Sequence, residues 1–362
     1  MKLKQYLSAG TLLLAFSSFG CGGTGGGVNT PPPPAVTTVY VAGIVNMGMT
    51  SEAPVYWKNG TVTALPTGSG YGATRAITVS GSDVYAAGWT TNSLSSSANL
   101  IATYWKNGTA TNLTTGTTSA SAQAIIVSGS DVYVAGATTS ATTGNNVVTY
   151  WKNGVATNLT DGTASDIAYG IAISSSGDIY MSGDTGAATG KSVATYWKNG
   201  VATNLTDGTQ DSLASGIVIS SGGDVYVAGD TTLAATGKSV ATYWKNGVAT
   251  TLTDGTEVAA VFTITVSGND VYAAGFQVSA TTGAPVATYW KNGIAISLTD
   301  GTKSAQAQAI AVSSSGDVYV SGTTTSTATG KLVATVWKNG TATALSDGTT
   351  NAATVGIVVT NE

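Results

Sequence analysis

AYGIAISSSGDIYMSGDTGAATGKSVATYWKNGVATNLTDG, residues 168–208, decides the fold. It holds four short apolar runs divided by turn signals, with no helical period over any useful length. The runs 171–174 and 179–182 flank a Gly-Asp turn, and 193–198 and 201–205 flank Asn199-Gly200. An Asn-Gly pair tolerates positive φ at both central positions of a type I′ turn, so it marks a two-residue β-hairpin. In the preceding copy such a hairpin sets Trp151 opposite Ala156 and Tyr150 opposite Thr157. A large ring beside a small side chain suits layers that must fit closely.

The unit recurs seven times. Its tryptophans are Trp57, Trp105, Trp151, Trp197, Trp244, Trp290 and Trp337, spaced 46 to 48 residues apart. The Val/Ile-Tyr run recurs from Val39 to Val318, the closing leucine from Leu65 to Leu345, and the Ile-x-Val/Ile run from Ile77 to Ile357. Four antiparallel strands per repeat describe a β-propeller blade, so the expected fold is an all-β, seven-bladed propeller of 28 strands. No unit this short buries its own faces without neighbours, which overrules a reading of several ordinary domains. The globular part opens on a second-strand motif and ends on GIVVTN, residues 356–361, with no strands after it. The C-terminal segment is therefore expected as the innermost strand of the blade formed by residues 38–66. An open solenoid or parallel β-helix is the alternative, and the divided first blade favours the ring.

The N-terminus reads differently. Lys2 and Lys4 precede an apolar run, 7–19, that meets Gly20 and Cys21. A basic start and a short apolar segment make residues 1–20 an export signal rather than a mature membrane span. Its end resembles a bacterial lipoprotein signal, which implies acylation of Cys21, the only cysteine; an ordinary export signal with an incidental cysteine is the alternative. Acyl chains would anchor the protein at a lipid membrane without a spanning helix. Residues 21–36 contain GGTGGGVNTPPPP, a flexible tract followed by a stiff one, and read as a tether. The propeller then covers 37–362. Removing Lys2 and Lys4 with the signal takes the net charge from -4 to -6. The mature surface is mildly acidic and carries no basic patch for nucleic acid. The expected location is a bacterial cell envelope, lipid-anchored, periplasmic or on the outer surface, and the expected state is a monomer.

Strand alternation assigns the turns to two faces. One receives the Gly-Asp turns (Asp83 to Asp317) and the Lys-Asn-Gly turns (Lys58 to Lys338), expected as a solvated charged rim rather than a polyanion site. The other receives the LTDGT links between blades and the loops 89–99, 138–146 and 276–284, which vary more than the frame. Loops on a rigid scaffold are where a binding surface is expected, although unconstrained drift also produces such variation. At the start of the innermost strands, Arg75, Gln123, Tyr169, Ser215, Phe262, Gln308 and Val355 occupy equivalent positions. With Trp89 of the first long loop, this variable ring supplies the candidate ligand-binding residues, apart from Val355. Filling a tapered channel is their competing use. The tryptophans are expected as packing, with an aromatic sugar platform as the sharper alternative. Asp161, Asp207, Asp254, Asp300 and Asp347 recur in the links, one per turn, which suits Asx turns better than calcium.

Much chemistry is missing. The chain has no histidine, which removes the common general base and every His-containing zinc arrangement. Glycosidase chemistry needs two carboxylates, and nothing in the sequence places a raised-pKa acid opposite a partner. Neither an enzyme nor a cofactor or metal is expected.

AYGIAISSSGDIYMSGDT (168–185) and AQAIAVSSSGDVYVSGTT (307–324) are the clearest forms of a segment that resembles bacterial seven-type β-propeller repeats related to the NHL and SBBP groups. The resemblance covers the two innermost strands of nearly every blade, and the YWKNG hairpin is an addition to it. It implies a propeller, often with a binding surface on exported proteins, and no shared substrate. The resulting reading is a membrane-tethered binding scaffold for a protein or extracellular polymer, with a lectin-like module, a passive envelope protein and a carboxylate-dependent enzyme as alternatives.

Overall fold

The computed structural model describes residues 37–46 and 52–361; the expected signal, tether and Cys21 lie outside them. All the regular structure among these residues is β, in 28 strands arranged as seven four-stranded antiparallel sheets. Six of the sheets are simple meanders and the seventh takes its innermost strand from the C-terminal segment, and each innermost strand packs against the innermost strands of both neighbouring blades. The result is a closed ring. No helix among the described residues is long and apolar enough to cross a membrane.

The ring shuts as the divided first blade requires. The C-terminal strand Ala352–Asn361 pairs antiparallel with Thr37–Val45, setting Thr37 opposite Asn361 and Val45 opposite Ala352. The first blade thus joins the first and last described strands and leaves no interrupted blade edge.

The Asn-Gly hairpins take the geometry their sequence demands. Asn199 has φ 50° and Gly200 φ 85°, and the other six pairs fall within a few degrees. Trp151 lies opposite Ala156 and Tyr150 opposite Thr157. All seven tryptophans of the motif are at most 2% exposed, which rules out their serving as an open sugar platform. They pack between blades: Trp151 shares a core with Ala76, Tyr85 and Ala87 of the preceding blade, and Trp290 with Tyr226 and Ala228. The hydrophobic core is therefore a series of layers between sheets, which is why the two innermost strands of a blade are buried on both faces while the outermost strand is exposed.

One feature of the frame escapes the sequence pattern. In every blade the pairing of the innermost and second strands slips by one residue. In the fourth blade Ala168 pairs with Gly183 and Gly170 with Ser182, leaving Tyr169 as the extra residue. Such a β-bulge bends its strand and redirects a side chain.

Candidate functional site

The seven bulged residues are Arg75, Gln123, Tyr169, Ser215, Phe262, Gln308 and Val355. The variable ring of the sequence is thus a ring of bulges on the innermost strands. Gln123, Ser215, Phe262, Gln308 and Val355 are buried, while Arg75 and Tyr169 keep some accessible surface. Gln123 Nε2 donates to Ser121 Oγ at 3.0 Å, and Gln308 Nε2 donates to Gln306 Oε1 at 3.0 Å. Phe262 packs against Phe276 with centroids 5.8 Å apart. Trp89 is buried and meets Tyr71 edge-on at 5.7 Å.

Arg75 is the only arginine of the chain. Its guanidinium and the Asp184 carboxylate act in opposite directions on Tyr169. Burial, then the neighbouring Asp184, holds the Tyr169 hydroxyl well above the usual phenol range, and Arg75 opposes them. Bulges in the second and fourth blades thus bring a cation and a tyrosine–carboxylate pair into one electrostatic cluster.

The irregular carboxylates have distinct surroundings. Asp166 Oδ1 accepts the Gly186 amide at 2.9 Å, Asp211 pairs with Lys191 at 3.1 Å, and Glu257 pairs with Lys238 at 3.2 Å. Burial pushes the Asp230 carboxyl up to about 7, against a Ser239 hydrogen bond that favours the charged form. Burial alone raises this acid; no neighbouring carboxylate contributes to the shift. Its signal is the Asp that follows Gly229, where most other blades carry an uncharged residue.

The lysine face is a set of closed units. Lys152 Nζ lies 2.8 Å from Asp131 and 5.1 Å from the centre of the Tyr133 ring. Asn153 accepts the Val132 amide at 2.9 Å and donates to Asp131 at 2.8 Å. Those contacts hold Asp131 below, and Lys152 above, their ordinary ranges. Five other blades repeat the ion pair at 2.8 to 3.0 Å. The rim is solvated and charged, its six paired lysines each about half exposed, and this local neutralisation removes the basis for steering a polyanion.

On the opposite face the links form Asx turns. Asp161 Oδ1 accepts from Thr163 N at 2.9 Å and Thr163 Oγ1 at 2.7 Å. The geometry recurs at Asp207, Asp254, Asp300 and Asp347. No acidic cluster among the described residues has the makings of a metal site.

The loops are less varied than their sequences. In the third to seventh blades a Thr hydroxyl donates to the glycine carbonyl of the following link, as Thr143 does to Gly162 and Thr282 to Gly301. Loops 138–146 and 276–284 are therefore copies of one turn. The blade 2 loop differs: Thr91 Oγ1 donates to Ser93 O, and serines 95 and 97 bond each other.

A second departure lies beside it. The link from blade 1 to blade 2 reads Pro66-Thr67-Gly68-Ser69, where four of the other six read Thr-Asp-Gly-Thr and the remaining two differ from that by one residue each, Thr115 for Asp and Ser346 for Thr. Elsewhere the link Thr accepts an amide of the third strand, as Thr160 accepts from Val148 at 3.0 Å. In blade 1 that donor position is Pro54, which has no N–H, so Pro66 leaves no donor stranded. Pro66 O accepts from Trp105 Nε1 at 2.8 Å, and Ser69 Oγ reaches across to Asn92 O at 2.8 Å. Between this link and the outer half of blade 2 lies a cleft of about 490 Å³, lined also by Thr90, Thr91, Ile101, Ala110 and Asn112. The sequence reading missed it, although the broken LTDGT pattern marks the place.

No family model matches the chain, and no curated protein does. Among solved structures it is similar to the acylaminoacyl peptidase of Pyrococcus horikoshii, at 12% identity and TM-score 0.52, over 86% of this chain and 50% of that one. It is also similar to the BP39L lectin of Burkholderia pseudomallei, at 11% identity and TM-score 0.49, over 83% and 92% of the two chains. A thermostable family-43 glycoside hydrolase matches at 11% identity and TM-score 0.36, over 62% and 92%. The chain spans half the length of the peptidase it matches. The expectation that the chain is not an enzyme is thereby corrected, because its architecture also occurs within an enzyme chain and gives no ground for excluding catalysis. The likeness is one of fold alone.

Proposed function

We propose that the protein is a membrane-tethered extracytoplasmic scaffold that binds a protein or extracellular polymer through the face carrying the links and loops. The observation that carries this reading is the concentration of departures from the repeat around blade 2. The long loop, the Pro66–Ser69 link and the Trp89–Tyr71 pair all lie there. Repetition elsewhere is what a rigid frame requires, and a local break in it is where recognition is built. Of the ring, Arg75 and Tyr169 keep accessible surface and extend this face inward, while the buried Trp89, Gln123, Ser215, Phe262 and Gln308 support it from beneath.

Acylation of Cys21 would hold the scaffold on the membrane, and the tract 21–36 would let it stand off the surface. The paired lysines and net negative charge favour a partner other than nucleic acid. The test is capture from envelope extract by the full chain and by two variants. One replaces loop 89–99 with loop 138–146, and the other replaces loop 276–284 with the same segment. The first exchange is expected to lose the partner and the second to keep it. Equal recovery by all three would contradict the reading.

A further inference from the structure

We propose that the cleft between blades 1 and 2 binds a neutral, polyhydroxylated ligand, a sugar residue of an extracellular glycan. The inference rests on the reading that this face binds, and it names the chemistry bound. The volume, about 490 Å³, falls within the range of small-ligand sites.

No charged side chain lines the cleft. An ionic ligand would shed water there without a countercharge to replace it. In five of the seven links an Asp sets a carboxylate at this place; here, as in the next link with Thr115, a threonine, Thr67, stands instead. The lining hydroxyls are already spent as donors: Thr67 to Gly70 O at 2.9 Å, Ser69 to Asn92 O at 2.8 Å, and Thr91 to Ser93 O at 2.8 Å. Thr67 and Ser69 retain acceptor lone pairs, whereas the buried Thr91 Oγ1 already accepts the Tyr71 amide at 3.1 Å. Asn112 Oδ1 accepts from Thr103 at 3.2 Å, leaving its amide N–H groups without a partner among the described residues, and the Asn92 side chain is exposed. The cleft thus offers acceptors on one wall and amide donors on another. A ligand that fits must donate and accept at closely spaced positions, which is the character of a polyol. Ile101 and Pro66 provide apolar surface for the C–H face of a ring.

The test presents the full chain to immobilised neutral, uronate-containing and sulfated saccharides. Ala110→Phe fills the cleft from an exposed position opposite Trp105. Ala202→Phe makes the same change opposite Trp197 in blade 4, so it reports any damage to the fold. Retention is expected on neutral saccharides, reduced about tenfold or more by Ala110→Phe and unchanged by Ala202→Phe. Asn112→Ala is expected to weaken binding about three- to tenfold through loss of one hydrogen bond. No retention on neutral saccharides, preference for charged ones, or equal binding by Ala110→Phe would overturn the inference. If the loop exchange still abolishes capture from envelope extract, that failure leaves the scaffold reading standing.

Discussion

A Cβ on Gly183 would sit 2.0 Å from the carbonyl oxygen of Ile167. The same approach, at 1.8 to 2.3 Å, occurs at the equivalent glycine of all seven blades, including Gly229 against Leu213. The bulge explains it, because the extra residue drives the innermost strand's carbonyl toward the second strand. The glycine of each Tyr-x-x-Gly motif is thus the counterpart of the bulge, and the bulge presents the variable ring.

Gly183→Ala should therefore cost about 3 kcal/mol or more, since backbone on both strands must move. Gly222→Ala is the control: its added Cβ meets only Ser220 Oγ, at 3.8 Å. That change should stay within about 0.5 kcal/mol. Urea unfolding of both variants checks the contrast, and equal midpoints would remove the steric account of the motif.

Asn199 accepts the Ile179 amide at 2.9 Å and donates to Asp178 at 2.8 Å while holding φ 50°. Asn199→Ala loses both bonds and places an unfavourable residue in the left-handed region, for about 1 to 3 kcal/mol. Asn199→Gly restores the backbone freedom alone and should recover part of the loss. Thermal unfolding of the pair separates the two contributions.

The blade count, strand order, hairpin turns and ring closure were all legible, because each rests on local chemistry repeated seven times. Asn-Gly chooses a turn without help from distant residues, and the missing innermost strand at the N-terminus dictates where the last one goes. The bulge was not legible. It depends on how two strands slip past each other, and Ala168-Tyr169-Gly170 reads equally well as regular strand. The equivalence of Arg75 through Val355 could be found by alignment of repeats, but their unpaired geometry could not. The cleft was half visible: Pro66 breaks a pattern, whereas its pairing with Pro54 appears only when the strands are laid side by side.

Asp230 gives the fold a pH dependence. Its folded pKa is raised to about 7 from an ordinary value of 3.8. Between those values the folded state keeps a proton that the unfolded chain releases, so stability falls as pH rises through this window. The penalty is absent below about pH 4 and complete above about pH 7. Asp230→Asn removes it and should be the more stable protein at pH 8, by about 2 to 4 kcal/mol. The advantage should shrink toward pH 4. Unfolding free energies of both proteins across this range check the slope, and parallel curves would place Asp230 in water.

If Cys21 is acylated, Cys21→Ser should abolish metabolic labelling with a fatty acid and release the propeller from the membrane fraction. Unchanged labelling or fractionation would contradict the tether.

The central claim is that recognition lies where the repeat breaks. Hydrogen exchange of the full chain, with and without the envelope fraction it retains, tests this most directly. The account predicts new protection at residues 66–71, 89–99 and 109–112, with the Lys-Asn-Gly turns unchanged. Protection confined to those turns, or spread evenly over the seven blades, would contradict it.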